Sequence, residues 1–407
     1  MDFLRVSDME NFKKIKVILH RGSNQIGGVC TEIATANTRI FVDFGSPLEG
    51  EGDQSRLDID GLTFGAVGCD GVFLTHYHGD HVGEIPRIMS SIPVYMESTA
   101  RKILEVQQEH KKSLGQIVWA TGVKELIGGE PVIVKDLNVT PIKSDHSACN
   151  SLMYLVEGCG KRILITGDYR LHGYYAEELV KTFKNLGKLD LMITEGTTIT
   201  RDSCYSHDEK WVEQEFAKIN KKYKYVFLLT SSSNIGRIAA FSRTIPEGKY
   251  MLVDQYQEKL IKIYDADQVE RLQSCKVLHT GNNLIKKAEK LGFGMAVRAN
   301  DHFQRIVKNF FEKYPEKTCL VYSMWSGYKD CPSIKKMLAL CPDEENVKIR
   351  HASGHVTKED LEQVIETIKP AKLIIHHTAA DKRNIGKLIL PGDTELVCAE
   401  DGRLIAL

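Results

Sequence analysis

Hydrophobic residues in the first half of the chain occur in short runs that predict β-strands. Each run lies between glycines, prolines or charged residues, which is the pattern of a buried strand bounded by turns. One amphipathic helix is predicted at residues 98–110, where Ile103, Leu104 and Val106 lie on or near an apolar face. The predicted strands cover residues 15–19, 29–33, 39–43, 71–74, 131–134, 137–142, 151–156, 161–166 and 189–194.

From about residue 204 the pattern changes to alternating helices and strands. Ser206 followed by Glu209 predicts a capping box that opens a helix, and Thr357 with Asp360 predicts another helix start. A further helix is predicted at residues 235–243, and strands at 225–229, 250–253, 318–322 and 372–375. Such alternation is typical of a parallel sheet covered by helices. We therefore expect two compact lobes, the second of α/β type.

Composition limits the classes of function. The chain has 407 residues, of which 27% are charged, and its formal net charge is +0. Because no global basic field is available, any phosphate binding must be local. Residues 1–16 are polar and no apolar run is long enough for a membrane span, so we expect a soluble protein of the cytoplasm. The ten cysteines form no Cys-x-x-Cys pair; we expect them to be reduced, with Cys149 a small buried packing residue.

Four potential metal ligands follow the run at residues 71–74: His76, His78, Asp80 and His81. Side chains two apart on an extended segment point the same way, so His76 and His78 can bind one ion while Asp80 and His81 reach a second. Imidazole and carboxylate ligands without thiolate suit zinc or a similar divalent ion in a site open to water. Surface histidines at a loop tip are the alternative, but clustered ligands without a cation would repel or stay unpaired.

Two later polar residues also follow predicted strands. His146 lies in the polar tetrad after the run at 137–142, and we expect it to give the first ion a third imidazole. Asp168 follows the run at 161–166, where a carboxylate can bridge two cations about 3.5–4 Å apart. A lone histidine or a turn aspartate would be structural, so both predictions depend on the earlier cluster.

The pattern His-x-His-x-Asp-His at residues 76–81 resembles the signature of the metallo-β-lactamase fold. The long α/β segment after Asp168, followed by further histidines, is similar to the β-CASP branch of nucleases, which includes ribonuclease J. The resemblance implies an α/β fold: a metallo-β-lactamase αββα sandwich with an inserted β-CASP domain. It divides the chain into residues 1–203, 204–345 and 346–407. We also expect the additional C-terminal domain of full-length ribonuclease J to be absent.

The resemblance implies catalytic roles as well. Glu195 matches acidic motif A, and His355 matches motif B as the donor of a proton to the leaving oxygen, held by Glu195. Asp80 joins these two in the implied catalytic set. Asp43, otherwise a common turn residue, matches an aspartate that supports the metal-binding loop by holding a ligand imidazole.

The last ligand is implied by motif C. His377 would bind the second ion together with Asp80, His81 and Asp168. Ile375 and Thr378 stand where the family has proline and glycine, so the neighbouring His376 stays open as the alternative.

A phosphate site is predicted between the strand at 225–229 and the helix that follows. Small polar residues there bring backbone N–H groups, hydroxyls and a positive helix end together. N-capping alone is the alternative, and it accounts for one serine of the three. The residues are Ser231, Ser232, Ser233 and Asn234, and by resemblance His351 and Ser353 also grip phosphate. Trp325 and Tyr328 are candidates for base stacking, but we interpret them as core.

These features together predict a phosphodiesterase that uses two Zn²⁺ ions, with Mn²⁺ as an alternative, to hydrolyse single-stranded RNA. The histidine of motif B resembles the RNA-acting members of the branch. A DNA nuclease of the same branch, a small-molecule metallo-hydrolase and a non-catalytic RNA-binding scaffold are the alternatives. Endonuclease or exonuclease mode, and whether the protein is a homodimer, stay open.

Overall fold

The computed structural model describes residues 14–114, 122–126, 129–201, 207–267, 276–277 and 284–407. The first part of the chain is dominated by strands, as the hydrophobic runs predict. Its elements are β1 (Lys16–Arg21), β2 (Cys30–Ala34), β3 (Arg39–Val42), β4 (Gly71–Phe73), α1 (Gly79–Val82), β5 (Val94–Glu97), α2 (Ser98–Ser113), β6 (Val123–Leu126), β7 (Val132–Val134), β8 (Leu137–Lys143), β9 (Leu152–Gly158), β10 (Lys161–Ile165), α3 (Ala176–Asn185) and β11 (Leu191–Glu195).

Helices and strands then alternate, as predicted for the second lobe. These elements are α4 (Glu209–Lys222), β12 (Tyr225–Leu229), α5 (Ile235–Arg243), β13 (Tyr250–Val253), α6 (Gln255–Asp267), β14 (Lys276–Val277), α7 (Leu284–Leu291), β15 (Phe293–Val297), α8 (Asp301–Lys313), β16 (Thr318–Tyr322), α9 (Pro332–Leu338) and β17 (Val347–Ile349). The chain finishes with α10 (Lys358–Ile368), β18 (Lys372–His376), α11 (Lys382–Ile385), β19 (Glu395–Leu396) and β20 (Leu404–Ala406).

Two seven-stranded sheets pack face to face. Their strand orders are β20-β1-β2-β3-β4-β5-β6 and β19-β18-β11-β10-β9-β8-β7. One hydrophobic cluster joins inner-facing residues of both sheets, such as Ile40 and Val42 of β3 with Tyr154 and Val156 of β9. Because successive side chains of a strand point to opposite faces, Phe41 lies in the cluster on the outer side of the first sheet.

Helices cover the outer faces of this pair of sheets. Ile103 and Leu104 of α2 pack in the cluster on the first sheet, while α3 and α10 pack on the second through Phe183 and Ile365. The order helix, sheet, sheet, helix is the predicted αββα sandwich, so the predicted fold class is confirmed. Thr357 caps α10 as expected, since its hydroxyl accepts the N–H of Asp360 at 3.0 Å.

The third sheet has six strands in the order β14-β13-β15-β12-β16-β17, and all its pairs are parallel. Its central strands are buried along their whole length, as parallel strands covered by helices must be. The division of the chain at residues 203 and 345 stays a prediction. None of the helices in the described ranges combines the length and apolar character that a membrane crossing requires.

The predicted start of α4 needs a correction. Ser206 lies outside the described residues, and the helix is capped by Asp208, whose side chain accepts the N–H of Trp211 at 2.7 Å. Glu209 is buried and forms ion pairs instead of completing a capping box. Cys149, expected to be buried, is half-buried, although it does pack against the core.

Candidate metal centre

Loops that follow several strands meet at one edge of the second sheet. β10, β11 and β18 are parallel, so their carboxyl ends share that edge. β8 runs in the same direction, because it is antiparallel to β9, which is antiparallel to β10. His146, Asp168, Glu195 and His377 come at or just after these four strand ends. The topology thus gathers residues that are far apart in the sequence.

The loop after β4 is fixed against the same edge. The carbonyl of Thr75 accepts the N–H of Leu152 at 2.9 Å, and the hydroxyl of Tyr154 donates to the carbonyl of Leu74 at 2.6 Å. Gly45 lies so close to this loop that a Cβ there would be 1.6 Å from the carbonyl oxygen of Asp80. Only glycine allows that approach.

Three imidazoles form the first group of candidate ligands. His76, His78 and His146 each offer a ring nitrogen, and these atoms lie within 4.8 Å of one another. Nδ1 of His146 donates to the carbonyl of Gly354 at 2.6 Å, which leaves Nε2 unprotonated. That Nε2 lies 3.2 Å from Nδ1 of His78. The structure therefore brings together the three residues predicted for the first ion.

A second group contains Asp80, His81, Asp168 and His377. Nε2 of His377 lies 3.2 Å from Oδ2 of Asp80, and its Nδ1 lies 3.5 Å from Oδ1 of Asp168. The backbone of His377 has φ of +48°, a left-handed conformation that turns its side chain away from that of the preceding residue. His376 instead donates from Nε2 to the carbonyl of Arg21 at 2.8 Å. Of the two neighbouring histidines, His377 is the one that faces the cluster.

Asp168 lies between the two groups. Its Oδ2 is 3.9 Å from Nε2 of His76, 3.8 Å from Nε2 of His146 and 3.3 Å from Nε2 of His81. Its Oδ1 faces His377. This is the position that a bridging carboxylate needs.

Four buried polar atoms in the cluster have no hydrogen-bond partner within the described part of the chain. These atoms are Nε2 of His76, Nε2 of His81 and both carboxylate oxygens of Asp168. An unpaired buried polar atom costs free energy, and nearly all such atoms in native proteins are paired. These atoms converge from two groups of imidazole and carboxylate ligands, a donor set that suits a divalent cation. The residues therefore fit a metal site.

The charge states of the three imidazoles in the first group agree with this fit. Burial lowers the pKa of His76 and His146 well below 6.5, and it lowers the pKa of His78 to about 4. Metal ligands must be deprotonated, so these three side chains are ready to bind a cation. Burial opposes ionisation of Asp168, but His377 and His81 outweigh it and hold the pKa of Asp168 well below 3.8.

Glu195 and His355 form the predicted pair beside this cluster. Oε2 of Glu195 lies 3.0 Å from Nδ1 of His355, and Oε1 accepts the N–H of Tyr169 at 2.9 Å. Burial lowers the pKa of His355, but Glu195 and Asp168 outweigh it and raise the pKa to about 8. Asp168, Glu195, His355 and His377 also form a third group with ligand spacing, so His355 has two candidate roles, proton donor and ligand.

A cavity of about 540 Å³, called the metal cavity below, opens in front of these residues. Most of the predicted phosphate-binding residues line it: Ser231, Ser233, Asn234, His351 and Ser353. Ser232 does not, because its buried hydroxyl accepts hydrogen bonds from Gln257 and Arg298, both at 3.2 Å. The Ser232 side chain is therefore not part of this lining, and its assignment to the phosphate site stays a prediction. Asn234 also caps α5, accepting the N–H of Arg237 at 3.2 Å.

The interpretation of Trp325 and Tyr328 as core residues is wrong. β16 ends at Tyr322, and the chain then leaves the sheet at the edge that faces the metal cavity. Both aromatic side chains line that cavity, and Tyr328 is 46% exposed. The sequence pattern could not separate the two alternatives, because a strand end next to a cleft resembles a strand end next to the core.

Sequence reasoning missed a buried ionic network behind the cavity. Glu209 of α4 forms ion pairs with Arg170, which follows β10, and with Arg237 of α5. The two guanidinium groups also donate to backbone carbonyls of the segment before His355, Arg170 to Ser353 at 3.2 Å and Arg237 to Ala352 at 3.1 Å. The network thus joins the third sheet's helices, the second sheet and the loop that carries His355.

A family model described as "Beta-lactamase superfamily domain" matches residues 59–219, which include the loop after β4, Asp168 and Glu195. The fold, this match and the curated relatives confirm the predicted resemblance to the metallo-β-lactamase fold and to ribonuclease J-like proteins. With the cluster of histidines and aspartates, this fold indicates a divalent metal.

The relatives themselves are distant. Transcription termination factor FttA of Methanocaldococcus jannaschii is 21% identical, covering 82% of this chain and 55% of its own length. Ribonuclease J of Mycoplasma genitalium is 23% identical, covering 75% of this chain and 57% of its own length. The chain therefore spans a little over half the length of these two relatives. "Probable RNase MJ4" of Methanocaldococcus jannaschii is 22% identical, covering 89% of this chain and 93% of its own length.

A solved structure has the same fold. The crystal structure of a protein of unknown function from Enterococcus faecalis superposes with a TM-score of 0.79 at 19% identity. The superposition covers 97% of this chain and 100% of the Enterococcus faecalis chain, so the likeness extends over all three sheets.

Proposed function

We propose that this protein is a metal-dependent ribonuclease that hydrolyses phosphodiester bonds of single-stranded RNA, with two Zn²⁺ ions as its cofactors. One observation carries the proposal: unpaired buried ligand atoms in two adjoining groups converge at the wall of a cavity whose other walls are rich in hydroxyl groups. The names of the relatives, which include ribonuclease J, support a nucleic-acid substrate.

We assign the two ligand groups to two separate ions. His76, His78 and His146 would hold one ion, and Asp80, His81 and His377 the other, with Asp168 between them. Two divalent ions held there would neutralise charge on the scissile phosphate and would make water available as hydroxide near neutral pH. Ser231, Ser233 and Asn234, at the start of α5, line the same cavity and would orient the phosphate.

His355 would give a proton to the leaving oxygen. Glu195 engages Nδ1 at 3.0 Å, so Nε2 is the ring nitrogen that remains to carry the proton. Glu195 is itself held by the N–H of Tyr169, which keeps the pair in a fixed orientation.

The test uses labelled single-stranded RNA and matched DNA, incubated with the Zn²⁺-loaded or Mn²⁺-loaded protein. We expect RNA cleavage by the wild-type protein and none by His76→Ala, with Asp330→Asn, on a side chain that is 86% exposed, as the fully active control. Elemental analysis should find about two zinc equivalents per chain. Efficient cleavage of DNA without cleavage of RNA would transfer the assignment to a DNA nuclease, and no cleavage of either would refute the proposal.

The same assay distinguishes the modes of attack. Prompt release of mononucleotides from RNA with a 5′-monophosphate, but not a 5′-triphosphate, would support exonuclease action with His351 and Ser353 gripping the end. Internal cleavage products from both RNAs would support endonuclease action.

A further inference from the structure

A second cavity adjoins the metal cavity. This outer cavity has a volume of about 570 Å³, and its lining shares Arg201, Met324, Trp325 and His351 with the lining of the metal cavity. The shared residues form the wall between the two spaces. A chain-like ligand bound at the candidate ligand groups can therefore continue past Arg201 and Trp325 into the outer cavity.

Arg201 and Trp325 form a cation–π pair in this wall. The guanidinium carbon of Arg201 lies 4.6 Å from the centroid of the Trp325 indole. Over the ranges that the structure describes, this ring is the contact of the guanidinium group, which has neither a carboxylate partner nor a hydrogen bond there. A guanidinium plane stacked on an aromatic ring offers a flat surface to a base, and its free N–H groups can bind a phosphate.

The outer cavity repeats this combination of aromatic rings and a cation. The rings of His207 and Trp211 stack in parallel, with centroids 3.5 Å apart and an interplanar angle of 5°. The guanidinium carbon of Arg350 lies 5.5 Å from the Trp211 ring, and Arg350 is held there by Glu215 at 2.8 Å. His207, Trp211 and Arg350 all line the outer cavity. Their side chains are half-buried, so part of each ring surface is open to a ligand.

Two residues in the lining of the metal cavity have the contrary charge. Glu49 and Glu51 line this cavity and are exposed. Their carboxylates repel a phosphate backbone, whereas Arg201 and Arg350 attract one. The charge distribution therefore directs an extended polyanion toward Arg201 and away from the loop of Glu49 and Glu51.

We infer that the Arg201–Trp325 pair and the His207–Trp211 pair form a binding track for successive bases of a single-stranded nucleic acid that leaves the metal cavity. The inference rests on the proposed function and specifies its substrate. Bases in a duplex are stacked on one another and paired, so they are not free to stack on these rings. The track selects a single strand of several nucleotides over both a duplex and a small phosphodiester.

The experiment compares substrates that do and do not reach the track. Bis(p-nitrophenyl) phosphate occupies the metal cavity alone, whereas single-stranded RNA of about ten nucleotides can extend through both spaces. For the wild-type protein, kcat/KM should rise with RNA length from a dinucleotide upward. In Trp211→Ala, which changes the lining of the outer cavity alone, we expect kcat/KM for the long RNA to fall about tenfold or more, with the turnover of bis(p-nitrophenyl) phosphate unchanged. Arg201→Ala changes the wall that both cavities share, so it should lower kcat/KM for the long RNA by a larger factor than kcat/KM for bis(p-nitrophenyl) phosphate.

Controls separate binding from folding. Trp211→Phe should recover most of the lost kcat/KM because it keeps an aromatic surface. Phe64→Ala and Arg403→Ala change an exposed ring and an exposed cation outside the linings of both cavities and should behave as wild type. An unchanged length dependence in Arg201→Ala and Trp211→Ala, or an equal loss on the small substrate, would overturn the inference while leaving the ribonuclease proposal intact. A wild-type protein that cleaves the small substrate but no RNA would overturn both.

Discussion

Asp43 holds His81 in place through a contact of 2.7 Å between its Oδ2 and Nδ1 of the imidazole. Oδ1 accepts the N–H of Thr75 at 2.8 Å, and Oδ2 also accepts the Thr75 hydroxyl at 2.8 Å. One buried carboxylate thus fixes both the backbone of the loop after β4 and the tautomer of a ligand. The backbone of Asp43 has φ of +61°, a left-handed conformation that few residues besides glycine, asparagine and aspartate adopt.

We predict that Asp43→Asn weakens zinc binding about 10- to 100-fold. Asparagine tolerates the left-handed backbone, but it lacks the negative charge that orients the imidazole and raises its basicity. Competition with a zinc chelator measures the change, and Asp330→Asn is the matched control at an exposed carboxylate. An affinity equal to that of wild type would mean that the Asp43 carboxylate has no role in metal binding.

The sequence predicts the position of the candidate ligands because each follows a strand with a clear local pattern. A buried run ends at or shortly before each of four candidate ligands, His76, His146, Asp168 and His377. The end of such a strand can be recognised from a few residues of sequence. Which sheet edge those ends share depends on the fold, and the resemblance implied the αββα sandwich. The local signal and the fold together therefore located the cluster.

Side-chain orientation could not be predicted in the same way. Ser232 points to Gln257 and Arg298 rather than into the metal cavity, and its neighbours Ser231 and Ser233 line that cavity. The direction depends on residues more than twenty positions away, so no short pattern contains it. β20 is a similar case, since its three residues become a strand by pairing with β1 at the other end of the chain.

The two neighbouring histidines at the end of β18 give a second prediction. His377→Ala should lose about one of two zinc equivalents, because His377 faces Asp80 and Asp168. His376→Ala should keep both, because His376 donates to the carbonyl of Arg21 and takes no part in the ligand groups. Elemental analysis of both purified variants measures this. Loss of metal in His376→Ala alone would reverse the assignment.

A third prediction separates the two candidate roles of His355. If this residue protonates the leaving oxygen, His355→Ala should lower kcat on RNA about 10²- to 10⁴-fold while zinc content stays at the wild-type level. The effect on bis(p-nitrophenyl) phosphate should be much smaller, since nitrophenolate leaves without a proton. Glu195→Gln should follow the same pattern with a smaller loss, because Glu195 acts through His355.

The outcome that contradicts the proton-donor role is specific. Loss of a zinc equivalent in His355→Ala, with equal loss of activity on both substrates, would make His355 a ligand of the group that it forms with Asp168, Glu195 and His377.

The ionic network behind the cavity gives the last prediction. Burial disfavours the charge on Glu209, but Arg237 and Arg170 outweigh it and lower the pKa from 4.5 to about 2. Removing this carboxylate by Glu209→Gln leaves two buried guanidinium groups without their shared partner. We expect the free energy of unfolding at pH 7 to fall by about 3–5 kcal/mol, as when one partner of a buried ion pair is removed.

The pH dependence has a definite sign. The folded-state pKa of about 2 lies below the ordinary value of 4.5, so the ionised carboxylate stabilises the fold fully above pH 4.5, and the contribution is lost as pH falls toward 2. The difference between wild type and Glu209→Gln in urea unfolding should therefore be largest near neutral pH and shrink below pH 4.5. Glu213→Gln on the same helix is the matched control, since its carboxylate is 25% exposed and pairs with Arg243, which is 26% exposed. A Glu209→Gln variant no less stable than Glu213→Gln would show that the buried network contributes nothing beyond a half-buried ion pair.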